Sequence, residues 1–176
     1  MGNVTPDPER PQTKLSAPVP LTANHDLTEF DCGELVLNDW LKQRALKNES
    51  RFSRTYVVCD GNAVVAYFCI AAGSVERAAA PGKVRRNAPD VIPVSVIGRL
   101  AVSQAYAGRG LGADILSDAL RRIAVASQSI GIGAVLVQAK DDAAKRFYMA
   151  CAEFAEYPAD SRTLFLPIET VIAAFS

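Results

Sequence analysis

Apolar residues recur at helical spacing in the first part of the chain and then give way to strand-like runs. Residues 35–48 form an amphipathic pattern that predicts a helix. The apolar positions of that helix are Leu37, Trp40, Leu41 and Ala45. Two β-rich runs, 54–59 and 63–72, are separated by Asp60-Gly61-Asn62, a spacing typical of a β-hairpin.

The second half of the chain alternates strands with helices. Strand-like runs occupy 94–102, 134–139 and 163–167, and helical patterns begin at Leu111 and span 142–151. The first of these helices places its apolar residues on one face: Leu111, Ile115, Leu116, Ala119, Leu120 and Ile123. The longest predicted loop, 74–93, precedes this half. This order of elements predicts an α/β or α+β fold in which helices flank a mixed sheet.

The two ends of the chain differ in composition. Residues 1–20 contain five prolines among polar residues and predict an irregular or disordered lead-in, so we expect a single domain over 21–176. No apolar run is long enough to span a bilayer, and the N-terminus lacks the order of a signal peptide, which favours a soluble cytoplasmic protein. The four cysteines show no ligand spacing, so we expect buried free thiols and no metal site.

The formal net charge is zero, but the charges are unevenly distributed. Residues 40–86 hold nine basic residues and three acidic ones. Seven of the basic residues are candidates for contact with a polyanion: Arg44, Lys47, Arg51, Arg77, Lys83, Arg85 and Arg86. The alternative is a solvated surface with no ligand.

A glycine-rich turn, Gly108-Arg-Gly-Leu-Gly112, joins the strand 94–102 to the helix that begins at Leu111. Such a turn presents unpaired backbone N–H groups to a phosphate. No Lys-Ser/Thr pair follows the last glycine, as a P-loop would require, and the spacing differs from the G-x-G-x-x-G of dinucleotide sites. A tight structural connection is the alternative.

Several motifs in combination resemble the GNAT-type N-acetyltransferase superfamily. They are Arg99-Leu-Ala-Val102, the glycine turn and Phe147-Tyr148. More narrowly, Phe30-Asp-Cys-Gly33, Arg54-Thr-Tyr-Val-Val58 and Thr163-Leu-Phe-Leu-Pro167 resemble the acetyltransferase toxins of bacterial type II toxin–antitoxin pairs. The resemblance covers about residues 21–170 and implies a mainly antiparallel central sheet that is flanked by helices and splayed at an acetyl-CoA site.

Carried over by position, the resemblance implies two sets of cofactor-binding residues. Leu100, Ala101 and Val102 pair with the pantetheine arm of acetyl-CoA. The residues around the pyrophosphate are Ala107, Gly108, Arg109, Gly110, Leu111 and Gly112. Three positions depart from the superfamily. Ala107 replaces a Gln or Arg, Asp141 replaces an asparagine, and Ala152-Glu-Phe154 replaces the glycine-phenylalanine that usually follows the tyrosine.

Tyr148 lies where the resemblance implies a tyrosine that donates a proton or a hydrogen bond to the departing CoA sulfur. Reference pKa values are about 10 for tyrosine and about 8.5 for a thiol, so full proton transfer is uphill by roughly 2 kcal/mol. We therefore expect either a hydrogen bond that stabilises the thiolate or a tyrosine with a lowered pKa.

The function implied by the resemblance is acetylation of the α-amino group of an aminoacyl-tRNA, which blocks translation. It also implies a ribbon-helix-helix antitoxin as partner, and a homodimer is common in the family. Two alternatives remain open at this point. The chain could acetylate a small amine or a protein N-terminus, or it could bind CoA without catalysis.

Overall fold

The computed structural model describes residues 14–157 and 160–176. Its centre is a seven-stranded sheet with the order β1-β2-β3-β4-β5-β7-β6. The strands are β1 Val19–Pro20, β2 Arg54–Asp60, β3 Ala63–Glu76, β4 Val91–Val102, β5 Ala134–Gln138, β6 Ala155–Tyr157 and β7 Asp160–Pro167. β4 and β5 are parallel, and each of the other neighbouring pairs is antiparallel. The predicted mixed, mainly antiparallel sheet is therefore confirmed.

Helices cover both faces of this sheet. They are α1 Leu35–Gln43, α2 Ala45–Glu49, α3 Gly82–Arg85, α4 Leu111–Ala126, α5 Asp142–Cys151 and α6 Ile168–Ala174. Neighbouring residues of a strand point to opposite faces. Accordingly, Tyr67 packs in the apolar cluster of α1 with Trp40 and Leu41, whereas Phe68 packs in the cluster of α4.

The predicted helix over 35–48 consists of two helices. The backbone of Arg44 has φ −119°, which ends α1 and starts α2. The buried face of the two helices is continuous, since Ala45 in α2 packs in the same apolar cluster as Trp40 in α1. The pattern of apolar residues therefore identified the buried face correctly and missed the break.

The N-terminal stretch 1–20 is partly outside the described residues, since the structure begins at residue 14. Within the remaining part, Val19–Pro20 forms the edge strand β1, and Leu15 forms an isolated bridge with Asp60. The other described residues of this stretch belong to no helix or strand, and residues 1–13 of the predicted lead-in lie outside the described residues. A two-residue strand carries no detectable periodicity, and its formation depends on β2, which lies far along the chain.

The predicted hairpin is confirmed, and Gly61 supplies the positive φ of its turn, +62°. The predicted loop 74–93 is shorter than expected, because β3 and β4 remain paired as far as Glu76 and Val91. The remaining connection contains the short helix α3.

The sheet opens between β4 and β5. These strands pair from Val94 and Ala134 to Ile97 and Val137. At the next residue, Gly98, the register of β4 against β3 shifts by one position. Beyond this bulge β4 has β3 on one side and, within residues 14–157 and 160–176, no strand on the other, so the implied splay is present.

Candidate active site

The opening is bordered by the backbone of the last part of β4. The Ser103 amide donates to the Val65 carbonyl at 2.8 Å, and hydrogen-bonded pairs alternate along an antiparallel ladder. Ala101 therefore directs its backbone groups toward β3. Leu100 and Val102 direct theirs into the opening, where an extended ligand could bind them. Of the three predicted pantetheine contacts, the geometry favours these two.

The glycine turn follows at the end of β4 and leads into α4. Gly108 has φ +76° and Gly110 has φ +79°, and a side chain at either position would meet no atom within 4 Å. Glycine is required here for its backbone conformation and not for space. Asp114 donates to the Gly110 carbonyl at 3.1 Å, so the three amides before Asp114 have no acceptor inside the helix.

Other residues of the turn are exposed or packed against neighbours. Ala107 and Arg109 are exposed, and the Arg109 guanidinium lies 5.3 Å from the centre of the Tyr106 ring. The Tyr106 hydroxyl donates to the Asp60 carboxylate, which ties the turn to the hairpin. A side chain at Gly112 would lie 3.5 Å from the Phe147 ring.

The Phe30-Asp-Cys-Gly33 motif fixes the start of this turn. The Asp31 carbonyl accepts from the Gln104 amide at 2.8 Å and from the Ser103 hydroxyl at 3.2 Å. The Asp31 carboxylate accepts from the Gly33 amide and from Asn38, and these hydrogen bonds lower its pKa. Gly33 has φ +85°, and a Cβ there would collide with the side-chain nitrogen Nε2 of Gln104. Sequence reasoning used this motif for the resemblance and missed its role as an anchor.

Tyr148 lies on α5 and is 7% exposed. Its ring packs against Phe147 and Phe154, with centroid distances of 5.3 and 5.8 Å. Burial raises the pKa of Tyr148 to about 12. The expected alternative of a lowered pKa is therefore wrong, because burial favours the neutral hydroxyl of Tyr148.

Other chemistry-bearing residues have structural roles. Asp141 caps α5 by accepting from the Ala144 amide at 2.8 Å. His25 accepts from the Thr22 amide through Nδ1 at 2.9 Å. Burial raises the pKa of the Cys69 thiol and of the Cys151 thiol, so neither is an activated nucleophile.

The cysteines differ in exposure. Cys59 and Cys69 are buried, whereas Cys32 is half-buried and Cys151 is exposed. The expectation that all four are buried is therefore wrong, because Cys151 lies at the end of α5 on its solvent side. The described part of the chain contains no group of His, Cys, Asp or Glu residues that could hold a metal ion.

All seven predicted nucleic-acid-binding residues are exposed. Arg44, Lys47 and Arg51 lie in and next to α2, and Lys83, Arg85 and Arg86 lie in and next to α3. Arg77 differs because it forms an ion pair with Asp90 at 3.1 Å. The structure thus presents two basic groups, and Asp90 offsets the charge of the seventh residue.

No helix within 14–157 or 160–176 has the length and the apolar character that are needed to cross a membrane.

Residues 21–154 match the acetyltransferase (GNAT) family. A tRNA-acetylating toxin of Mycobacterium tuberculosis (strain ATCC 25618 / H37Rv) is 44% identical over 152 residues, which cover 86% of this chain and 91% of the relative.

Two solved structures show the same similarity in three dimensions. AtaT complexed with acetyl-methionyl-tRNAfMet has a TM-score of 0.84 and 29% identity, with 93% of this chain and 100% of that chain covered. A tyrosine-to-phenylalanine mutant of the AtaT toxin, bound to the C-terminus of the antitoxin AtaR and to acetyl-CoA, has a TM-score of 0.79 and 28% identity, with 92% and 98% covered.

Proposed function

The chain belongs to the GNAT acetyltransferase family, and from this premise we propose that it is a toxin that acetylates the α-amino group of an aminoacyl-tRNA. In this reaction the amine nitrogen forms a bond to the acetyl carbon of acetyl-CoA, and the carbon–sulfur bond breaks. The products are an N-acetylated aminoacyl-tRNA and CoA. An acetylated amine cannot accept a peptide, so translation stops.

The residues of the opening fit acetyl-CoA. Leu100 and Val102 offer backbone groups to an extended arm, while the free amides at the start of α4 offer donors to a pyrophosphate. The N-terminus of this helix adds about half a positive charge, and Arg109 adds a full one. When bound, acetyl-CoA supplies the acetyl group, and the chain binds and orients it. The arrangement of these groups along one slot is the observation that supports the proposal most strongly.

Tyr148 acts on the leaving group as a hydrogen-bond donor. Its pKa of about 12 lies roughly 3.5 units above the ordinary pKa of a thiol, so full proton transfer to the sulfur is uphill by about 5 kcal/mol. A neutral hydroxyl in a dry site stabilises the developing thiolate without giving up its proton. The mechanism therefore relies on donation and not on a charged tyrosine.

The attacking amine needs no strong enzymic base. α-Amino groups titrate near pH 8, so a useful fraction is neutral at physiological pH. The chain has a single histidine, His25, and its Nδ1 accepts a hydrogen bond from Thr22, so it is not available as a general base. The two basic groups at α2 and α3 bind the phosphates of the tRNA in this proposal.

The acceptor also determines the cellular compartment in which we expect the protein to act. Charged tRNA is used in the cytoplasm, so we place the toxin there. A cognate antitoxin that covers the toxin is the expected partner, since AtaT was solved with the C-terminus of AtaR.

CoA release measured with three acceptors tests the proposal. We expect fast release with charged tRNA, little with free amines or peptides, and only slow hydrolysis without an acceptor. Release with a small amine or a peptide alone would favour the second acetyltransferase activity. Acetyl-CoA binding without any release would favour a non-catalytic binding module. A panel of tRNAs charged with different amino acids identifies the preferred acceptor.

A further inference from the structure

Arg99 is a cation at the opening that the mechanism above does not use. It is the first residue of β4 after the bulge at Gly98. Its guanidinium carbon lies 4.2 Å from the centre of the Trp40 ring. Trp40 is itself stacked on Tyr67, at 6.0 Å and an interplanar angle of 13°, and the Tyr67 hydroxyl donates to the Leu37 carbonyl. A rigid aromatic stack therefore holds the guanidinium in place.

Arg99 lies where the opening begins, two residues after Ile97, the last residue of β4 that pairs with β5. Burial raises the pKa of Cys69 and of Tyr67, and the positive charge of Arg99 acts in the opposite direction on both. Cys69 also contributes to the raised pKa of Tyr148. Arg99 and Tyr148 are thus both near Cys69, but Arg99 packs on the face covered by α1 and Tyr148 in the cluster of α4.

The guanidinium has no anionic partner in the part of the chain that is described. None of the ion pairs formed there includes Arg99. The opposite side of the opening differs, because Lys140, shortly after β5, is paired with Glu34 at 3.0 Å. Of these two cations beside the opening, Arg99 is the one whose charge is not offset by a carboxylate.

The phosphates of acetyl-CoA are not the natural ligand of Arg99. Leu100, Ala101 and Val102 separate it from the glycine turn, and a strand advances about 3.3 Å per residue. The turn and Arg99 therefore lie at opposite ends of the cofactor slot. An anionic ligand of Arg99 is therefore part of the acceptor and not of acetyl-CoA.

We propose that Arg99 binds the phosphate next to the terminal, aminoacylated nucleoside of the acceptor and so positions the amine at the thioester. This inference rests on the proposed function. A guanidinium binds phosphate through two parallel N–H donors. The Arg99 guanidinium stacks on Trp40 and also donates to the Cys69 thiol, which leaves further N–H donors of its five for a phosphate. Arg99 is in this role a specificity-determining residue for the acceptor.

Two acceptor mimics that differ by one phosphate test the inference. They are a 3′-aminoacyl-adenosine and the same ester with a 5′-phosphate, each carrying the amino acid preferred on tRNA. We expect the wild-type protein to prefer the phosphorylated mimic by about 10- to 100-fold in kcat/KM. Arg99→Met should reduce this preference to less than about threefold, and Arg99→Lys should retain part of it, because a point charge replaces a planar fork.

Three further measurements separate recognition from folding. Acetyl-CoA affinity and thermal unfolding should be unchanged in Arg99→Lys, and Arg121→Met, which removes an exposed charge on α4, should leave the phosphate preference intact. An Arg99→Met protein that keeps the preference, or that loses activity equally with both mimics, would overturn the inference. Wild-type protein that acetylates neither ester nor charged tRNA, but does acetylate other amines, would instead refute the proposed function.

Discussion

The two ends of the cofactor slot are built in opposite ways. At the glycine turn, the proposed binding groups are backbone amides and one arginine, all near solvent, and the backbone conformation is set by Gly108 and Gly110. At the reaction centre, Tyr148 is 7% exposed and held between aromatic rings. The first end supplies many weak, screened contacts, and the second supplies one contact in a dry environment.

This difference separates affinity from turnover. Donors near solvent compete with water, so each adds little and their sum holds the cofactor. A donor in a desolvated site acts more strongly, and it matters most where charge develops during the reaction. Changes at the turn should therefore alter the Kd for acetyl-CoA, and changes at the reaction centre should alter kcat.

The largest expected effect comes from Tyr148→Phe. Loss of the hydrogen bond to the leaving sulfur should lower kcat by about 100- to 1,000-fold, while the Kd for acetyl-CoA changes less than about twofold. Single-turnover kinetics and calorimetric titration measure the two quantities. Tyr157→Phe, at a half-buried tyrosine that packs on Phe165, is the matched control and should be close to wild type. Wild-type kcat in Tyr148→Phe would remove this tyrosine from the mechanism.

The pH profile tests the protonation state at the same end. Below about pH 8 the rate should fall about tenfold per unit, because the acceptor amine becomes protonated. Burial raises the pKa of Tyr148 to about 12, so its donating form persists to higher pH than in an ordinary tyrosine. We therefore expect kcat/KM to stay level from pH 8 to pH 10. A descending limb in that range, lost in Tyr148→Phe, would show that the tyrosine ionises early.

Sequence patterns predicted the parts of the site that depend on local chemistry. The glycines of the turn were identifiable because they lie between a strand and a helix, and Tyr148 was assigned through the resemblance to the acetyltransferase family. Contacts between residues far apart in the sequence, including the register of β4 against β3, could not be predicted. The bulge at Gly98 depends on pairing with Cys69, and the anchor from Asp31 to Ser103 joins residues that are 72 positions apart. Burial, and with it the raised pKa of Tyr148, emerges only after packing.

Gly110→Val tests whether the backbone conformation of the glycine turn determines acetyl-CoA affinity. A β-branched residue at φ +79° is strained by at least about 1–2 kcal/mol, and the turn can relax when no ligand holds it. We therefore expect acetyl-CoA affinity to fall by about 10-fold or more with kcat at saturation less affected. Gly61→Val introduces comparable strain at φ +62° in the hairpin, where no ligand is expected, and serves as control. Equal loss of affinity in both variants would point to general destabilisation.

The basic groups at α2 and α3 are exposed like the glycine turn, so we expect their contacts with the acceptor tRNA to be screened in the same way. Replacement of Arg85 and Arg86 by Ala should reduce the slope of log K against log salt by about 1.4 to 1.8, since two phosphate contacts are removed. Filter binding of charged tRNA at several salt concentrations measures this slope. Arg77→Ala should change it less, because Asp90 already offsets that charge. An unchanged slope in the double variant would identify the group at α3 as a solvated surface.

The smallest effect is expected for Arg109→Ala. Arg109 is exposed and contacts the Tyr106 ring and the Ala105 carbonyl, so its interaction with a pyrophosphate is screened by water and salt. Acetyl-CoA affinity should fall about two- to fivefold at 50 mM salt and hardly at all at 500 mM, while kcat stays the same. Arg121→Ala controls for the change in net charge. A loss above about 20-fold that persists at high salt would mean that one side chain, and not the backbone amides of the turn, carries phosphate binding.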